Sequence, residues 1–202
     1  MEKQEILKEI KEKALENRVP ILQDPSLDLI MMVLNLIKPN KILEIGTAVG
    51  YSAINFASTL KGEESFIKTI EINDKMYDIA TQNVKDMGLQ DHIKIINADA
   101  TKYLPELNED NMYDVVFIDA AKGQYLVFLE NAIRLVKNGG VIVADNVLFK
   151  GRVLSDYNEH KHRTAVNRLR TYLKLIEEDE RLNSTVINIG DGVAISIVNK
   201  DK

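Results

Sequence analysis

Cysteine is absent from the 202 residues, which excludes disulfides, thiolate metal sites and cysteine nucleophiles at once. A chain without thiols suits a reducing compartment, and a cytoplasmic protein is expected. Long apolar runs are also missing. None approaches the ~20 residues of a spanning helix, and Met1 to Lys13 alternates Glu and Lys with Ile and Leu where a signal region would be apolar. No membrane association is expected. Positive charge is not in excess either: 26 Lys and Arg against 31 Asp and Glu leave a net charge of −5, with a pI near 5.3. No global field draws such a protein to nucleic acid or lipid, so any such partner needs a local patch. What is present is ordinary. With 45% hydrophobic and 28% charged residues, the chain can bury the core of one globular domain over residues 1–202 without staples.

Residues 2–17 carry Ile6, Leu7, Ile10 and Leu15 at near-helical spacing among charges, and Val19-Pro20 breaks the pattern. Asp24-Pro25 predicts an N-cap followed by proline at the first helical position, opening a helix through Leu27, Ile30, Met31 and Leu34 that stops before Pro39. These two helices form an N-terminal appendage, residues 1–38. From Lys41 short apolar runs alternate with helical patterns. Strands are expected at 41–46, 66–71, 93–97, 113–119 and 140–145, and helices near 50–60, 74–87, 101–107, 122–137 and 160–179. Such alternation means a largely parallel sheet covered by helices. Two more strand-like runs, 184–189 and 193–198, are joined by Gly190-Asp191-Gly192 as an antiparallel hairpin. That turn reads as a plain hairpin turn, with a substrate wall as the alternative.

In open α/β sheets ligands bind beyond the carboxyl ends of the strands. Here those ends are acidic: Glu44, Glu71, Asp99, Asp119 and Asp145. Each alone reads equally well as a cap for the next helix, but five on one sheet edge point to a ligand. The first loop, Glu44-Ile45-Gly46-Thr47-Ala48-Val49-Gly50, is glycine-rich between a strand and a helix. It lacks the dinucleotide fingerprint, because Ala48 and Tyr51 stand at that fingerprint's third and sixth places. Glu44 would repel a phosphate and attract a ligand that carries a sulfonium and an ammonium. Glu71 closes the second strand, where an acid can accept hydrogen bonds from both ribose hydroxyls. The second constellation is Asp119-Ala120-Ala121-Lys122 with Asp145-Asn146. Two carboxylates and an amide oxygen from neighbouring strands are hard ligands of the kind Mg2+ takes; a metal-free hydrogen-bonded cluster is the alternative. Beside a dication, like-charge repulsion favours the neutral amine that Lys122 would need as a general base, although a surface lysine opening a helix is the default elsewhere.

The runs Ile42-Leu43-Glu44-Ile45-Gly46-Thr47, Phe117-Ile118-Asp119-Ala120-Ala121-Lys122 and Ala144-Asp145-Asn146-Val147-Leu148 resemble the cation-dependent O-methyltransferases, the family of catechol and caffeoyl-CoA methyltransferases, over nearly the whole chain. The resemblance implies an α/β, Rossmann-like methyltransferase fold: a seven-stranded, mostly parallel sheet with a C-terminal antiparallel hairpin and N-terminal helices. It implies S-adenosylmethionine on Glu44, Gly46, Thr47, Tyr51, Ser52, Glu71, Ala98, Asp99, Ala100 and Asp119. It also implies Mg2+ or another divalent cation on Asp119, Asp145 and Asn146, with Lys122 as the base. A homodimer follows from the same resemblance, with the N-terminal helices and Phe149 as contacts.

The strings Ile118 to Tyr125, Asp145 to Gly151 and Gly190 to Gly192 look like the bacterial branch that methylates 5-hydroxyuridine at the tRNA wobble position, giving 5-methoxyuridine. A local patch agrees with this. His160 to Lys174 carries Lys161, Arg163, Arg168, Arg170 and Lys174 and no acid; a solvated helix face balanced by Glu177, Glu178 and Asp179 is the bland alternative. On the RNA reading, Lys150, Arg152, Arg163 and Arg168 hold phosphates while the flipped base enters the metal site. tRNA is thus the expected acceptor, and a small catechol or other vicinal phenol the alternative. A nucleotide-binding module without catalysis is the weakest reading, since it would have no use for Lys122 or the paired Asp119 and Asp145.

Overall fold

The computed structural model describes residues 2–157 and 159–201. Backbone contacts divide the chain into two compact units, Met1–Ala100 and Thr101–Lys202. In the first, helices α1 (Lys3–Glu16) and α2 (Asp24–Ile37) precede β1 (Lys41–Ile45), α3 (Tyr51–Ala57), β2 (Phe66–Glu71), α4 (Asp74–Asp86) and β3 (Ile93–Asn97). Strand order is β3-β2-β1, all parallel. β1 and β2 are buried almost throughout, as parallel strands under helices must be. Within the N-terminal helices one expectation shifts by a residue. Asp24 is the first residue of α2 and Gln23 its N-cap, because the Asp24 carboxylate is taken by the ammonium of Lys11 at 2.5 Å and does not cap. Asn73, by contrast, caps α4 through its side chain, which accepts from Met76 N–H at 3.1 Å.

The second unit runs α5 (Ala100–Glu106), β4 (Tyr113–Ile118), one 3-10 turn (Lys122–Gln124), α6 (Tyr125–Leu135), β5 (Val136–Ala144), α7 (Arg163–Glu178), β6 (Leu182–Ile187) and β7 (Val193–Val198). Its strand order is β4-β5-β7-β6, with β4 and β5 parallel and β7 antiparallel to both neighbours. The C-terminal hairpin is therefore present. β5 starts at Val136, before the expected 140, because a register shift lets Val136 pair with Tyr113 and Val141 with Val115. Gly140 permits that irregularity: a Cβ there would lie 2.7 Å from Val136 Cγ2 and 2.9 Å from the Asp114 carbonyl. The helix expected over 122–137 is accordingly shorter at both ends. α7 buries Val166, Leu169, Tyr172 and Ile176 along one stripe, with Tyr172 edge-on to Tyr125 of α6 at 5.5 Å. Among the described residues no helix is long and apolar enough to cross a membrane.

Candidate active site

In the first unit the register pairs Glu44 of β1 with Thr69 of β2. Thr69 donates its hydroxyl to Glu44 Oε2 at 2.5 Å, and Ser52, in the first turn of α3, donates to Oε1 at 2.5 Å. Thr47 and Thr69 oxygens lie 2.6 Å apart; Thr69 has spent its proton on Glu44, so Thr47 is the donor. Glu44 is fully buried. Its carboxylate is thus turned onto hydroxyls that brace the glycine loop, where the sequence suggested a charge presented to a cationic ligand. Thr69 could not be singled out from its codeless neighbourhood in the chain, and only a hydroxyl inside a buried strand hinted at it.

Glu71 makes the second brace. Its Oε2 accepts from Ala48 N–H at 2.7 Å and Oε1 from Asn73 N–H at 2.9 Å. Each carboxylate oxygen keeps lone-pair capacity for a further donor such as a ribose hydroxyl. Ala48 sits at φ 47°, a left-handed conformation that costs a non-glycine residue roughly 1–2 kcal/mol and that the Glu71 hydrogen bond offsets. Gly46 and Gly50 have φ 100° and 82°, a backbone that favours glycine, and a Cβ on Gly50 would only reach contact with Ala80 of α4 at 3.4 Å. Ala98 N–H donates to the Glu71 carbonyl at 2.9 Å, and Ala98, Asp99 and Ala100 are half-buried. Tyr51 is buried, and burial raises its phenol against the opposing pull of Lys11. Its hydroxyl therefore feels the N-terminal helices.

In the second unit Ile118 pairs with Ala144 and Asp145 N–H donates to the Ile118 carbonyl at 3.0 Å, so Asp119 and Asp145 leave β4 and β5 side by side. Asn146 then takes φ 56°, which folds its amide back. Its Nδ2 donates to Asp145 Oδ2 at 2.8 Å, and its Oδ1 accepts from Lys122 Nζ at 2.7 Å. Lys122 Nζ also lies 3.3 Å from Asp119 Oδ1. Two oxygens thus converge on one cationic point. Among the described residues no three His, Cys, Asp or Glu side chains gather to hold a metal, so a metal here would use the amide as third donor. Two carboxylates and an amide fit a hard divalent cation and suit a softer one poorly. Tyr125, which the sequence offered only within a longer string, donates its hydroxyl to the Asp145 carbonyl at 2.7 Å. Burial, then the charges of Asp119 and Asp145, hold that phenol protonated far above its ordinary range.

The basic residues fall into a group beside His162, where Lys150, Arg152 and Lys161 all act on its ring, and others further along α7. Lys150 is exposed; Arg152 lies between the rings of Phe149 and Tyr157, 5.2 and 5.1 Å from their centroids. Desolvation, then Arg152 and Lys161, holds His162 below its usual value. Arg163 and Arg168 are exposed on α7 but, five residues apart, diverge by about 140° around its axis. Arg170 points to main chain, donating to the carbonyls of Val153 at 3.1 Å and Ser155 at 2.5 Å.

A family profile described as O-methyltransferase matches residues 1–199. A catechol O-methyltransferase from Niastella koreensis is 32% identical over 176 residues, 84% of this chain and 78% of that one. The solved structure of a candidate caffeoyl-CoA O-methyltransferase from Staphylococcus aureus superposes with a TM-score of 0.87 at 34% identity, over 96% of this chain and 92% of that one. A Bacillus cereus O-methyltransferase, solved in complex with SAH, gives 0.86 at 26% identity, over 96% and 91%. The architecture is the α/β Rossmann-like methyltransferase fold, with seven strands, an antiparallel C-terminal pair and N-terminal helices.

Proposed function

Because the chain belongs to the O-methyltransferase family, we propose that it moves the methyl group of S-adenosylmethionine onto one hydroxyl of a small vicinal phenol, a catechol or a relative of one, with Asp119, Asp145 and Asn146 holding a divalent cation such as Mg2+. The observation that carries this reading is the convergence of Asn146 Oδ1 and Asp119 Oδ1 on the Lys122 amine. The names of the relatives support the small acceptor; none of those reported supports tRNA, which the sequence alone had placed first. The divergence of Arg163 and Arg168 around α7 weighs the same way.

When bound, the cation supplies Lewis acidity to two adjacent oxygens, and the sulfonium supplies an electrophilic methyl. This chain's residues do the rest. Glu71 keeps the loop shaped through Ala48 and offers its remaining lone pairs to the ribose, while Glu44 braces the loop from inside. Lys122 takes the acceptor's proton on Nζ. The acceptor oxygen so deprotonated would take the methyl carbon as its bond to sulfur breaks, the electron pair of that bond staying on the sulfur. Tyr125, tied to the Asp145 main chain, holds the carboxylate's strand end in place.

Two results test the reading. With labelled cofactor and Mg2+, catechols should exceed the matching monophenols by about a hundredfold or more in kcat/KM, since a site built for two oxygens rejects an acceptor lacking one. Label appearing on tRNA from a strain lacking the gene, with none on any catechol, would overturn the small acceptor. Glu71→Ala should weaken the cofactor by about 1.5–3 kcal/mol, the range for hydrogen bonds to a charged group, read by calorimetry. Unchanged affinity would mean that the ribose lies elsewhere.

A further inference from the structure

We propose that Asp191 and Gly192, in the turn between β6 and β7, are positioning residues for the metal donor Asn146; the inference rests on the metal reading above. The turn does more than close a hairpin. Its acceptors reach the segment that follows Asp145-Asn146: Val147 N–H donates to the Gly192 carbonyl at 3.0 Å, Leu148 N–H to the Asp191 carbonyl at 3.0 Å, and Lys150 N–H to the Asp191 carboxylate. Phe149 N–H donates to the Asn146 carbonyl at 3.3 Å. Every N–H from Val147 to Lys150 is therefore held, three of the four by the turn.

That hold is needed because the segment is strained. Phe149 and Lys150 have φ of 44° and 56°, the left-handed region that such residues keep only when their surroundings over-determine it, and Asn146, a residue type that enters this region more readily, has φ 56°. Gly192 lets the turn sit close enough to do so. It has φ 87°, and a Cβ on it would stand 2.3 Å from Leu148 Cγ, with Leu148 itself buried. The left-handed turn at Asn146 is what brings its amide to Asp145 Oδ2 and Lys122 Nζ. If the clamp is released, Phe149 and Lys150 relax, Asn146 loses its imposed φ, and its oxygen leaves the donor set. Asp191 acts by accepting from main-chain N–H groups, that of Leu148 on its carbonyl and that of Lys150 on its carboxylate, and is not itself one of the three donors.

The experiment titrates the whole 202-residue chain with Mn2+ alone, reading free Mn2+ by electron paramagnetic resonance, and with S-adenosylhomocysteine by calorimetry. Thermal unfolding is followed in parallel. Asp191→Ala should raise the Mn2+ Kd about tenfold or more, the scale of a lost supporting contact at a metal site, while S-adenosylhomocysteine affinity stays within about twofold of wild type. Asp191→Asn keeps a side-chain oxygen for Lys150 N–H and should recover most of the loss. Gly192→Ala, whose methyl meets Leu148, should reproduce the metal-specific defect. Wild-type Mn2+ affinity in Asp191→Ala overturns the inference, as does an equal loss of both ligands or an Asn variant as weak as the Ala variant. A wild type that binds no Mn2+ overturns the metal reading and this inference with it; a wild type that binds it, matched by Asp191→Ala, overturns the positioning role alone.

Discussion

Asp145→Ala is expected to lose about 10³-fold or more of its methyl-transfer rate, and wild type stripped of metal in excess chelator should fall as far. The size follows from the several kcal/mol of charge stabilisation that a Lewis-acid cation contributes, at 1.36 kcal/mol per factor of ten. Asp145 is the strongest point at which to cut. It is almost fully buried, its carboxylate accepts from the Asn146 amide, and its position beside Asp119 is set by the β4–β5 register. Asp145→Asn separates charge from shape. It keeps an oxygen for the Asn146 amide and removes one of two neighbouring negative charges, so the fold should persist while Mn2+ affinity falls. Full turnover of metal-stripped protein in chelator would end the metal reading, whatever the variants do.

Lys122→Ala should lower kcat by about 10²–10⁴, the usual contribution of a general base, with cofactor affinity near that of wild type. Lys122 also hydrogen-bonds Asn146, so the rate must be read at saturating metal. Lys122→Arg decides between proton transfer and charge. A guanidinium retains the positive charge but does not give up its proton in a protein, so it should rescue an electrostatic role and fail to rescue a base. A loss smaller than about tenfold at neutral pH in the Ala variant, or full activity in the Arg variant, would show that Lys122 only supports the site electrostatically.

Most of the strands were legible from the chain because each is a short apolar run bounded by helical patterns or by a glycine turn; β2, β3 and β7 fall at the expected residues. The departures are physical. The Lys11 ion pair removes Asp24 as a cap. Gly139-Gly140 hides an early start to β5, because glycine reads locally as a break while here it allows a register shift and close backbone approach.

The acids at the strand ends, the missing dinucleotide fingerprint, and the pairing of Asp119 and Lys122 with Asp145 and Asn146 were determined by the sequence itself, since residue type and spacing along a regular element settle which groups can share a face or an edge. Tertiary structure alone decided what those groups do with their hydrogen bonds. Glu44 is turned inward because β1–β2 register supplies Thr69 and the start of α3 supplies Ser52. Arg170 is spent on the carbonyls of a loop rather than left for a phosphate. Asp191, 45 positions beyond Asn146 in the chain, reaches its neighbourhood only because the β6–β7 turn folds back onto the end of β5. Hydrogen bonding and close packing act over a few ångströms of space, and no pattern along the chain encodes which distant segments will come within that reach.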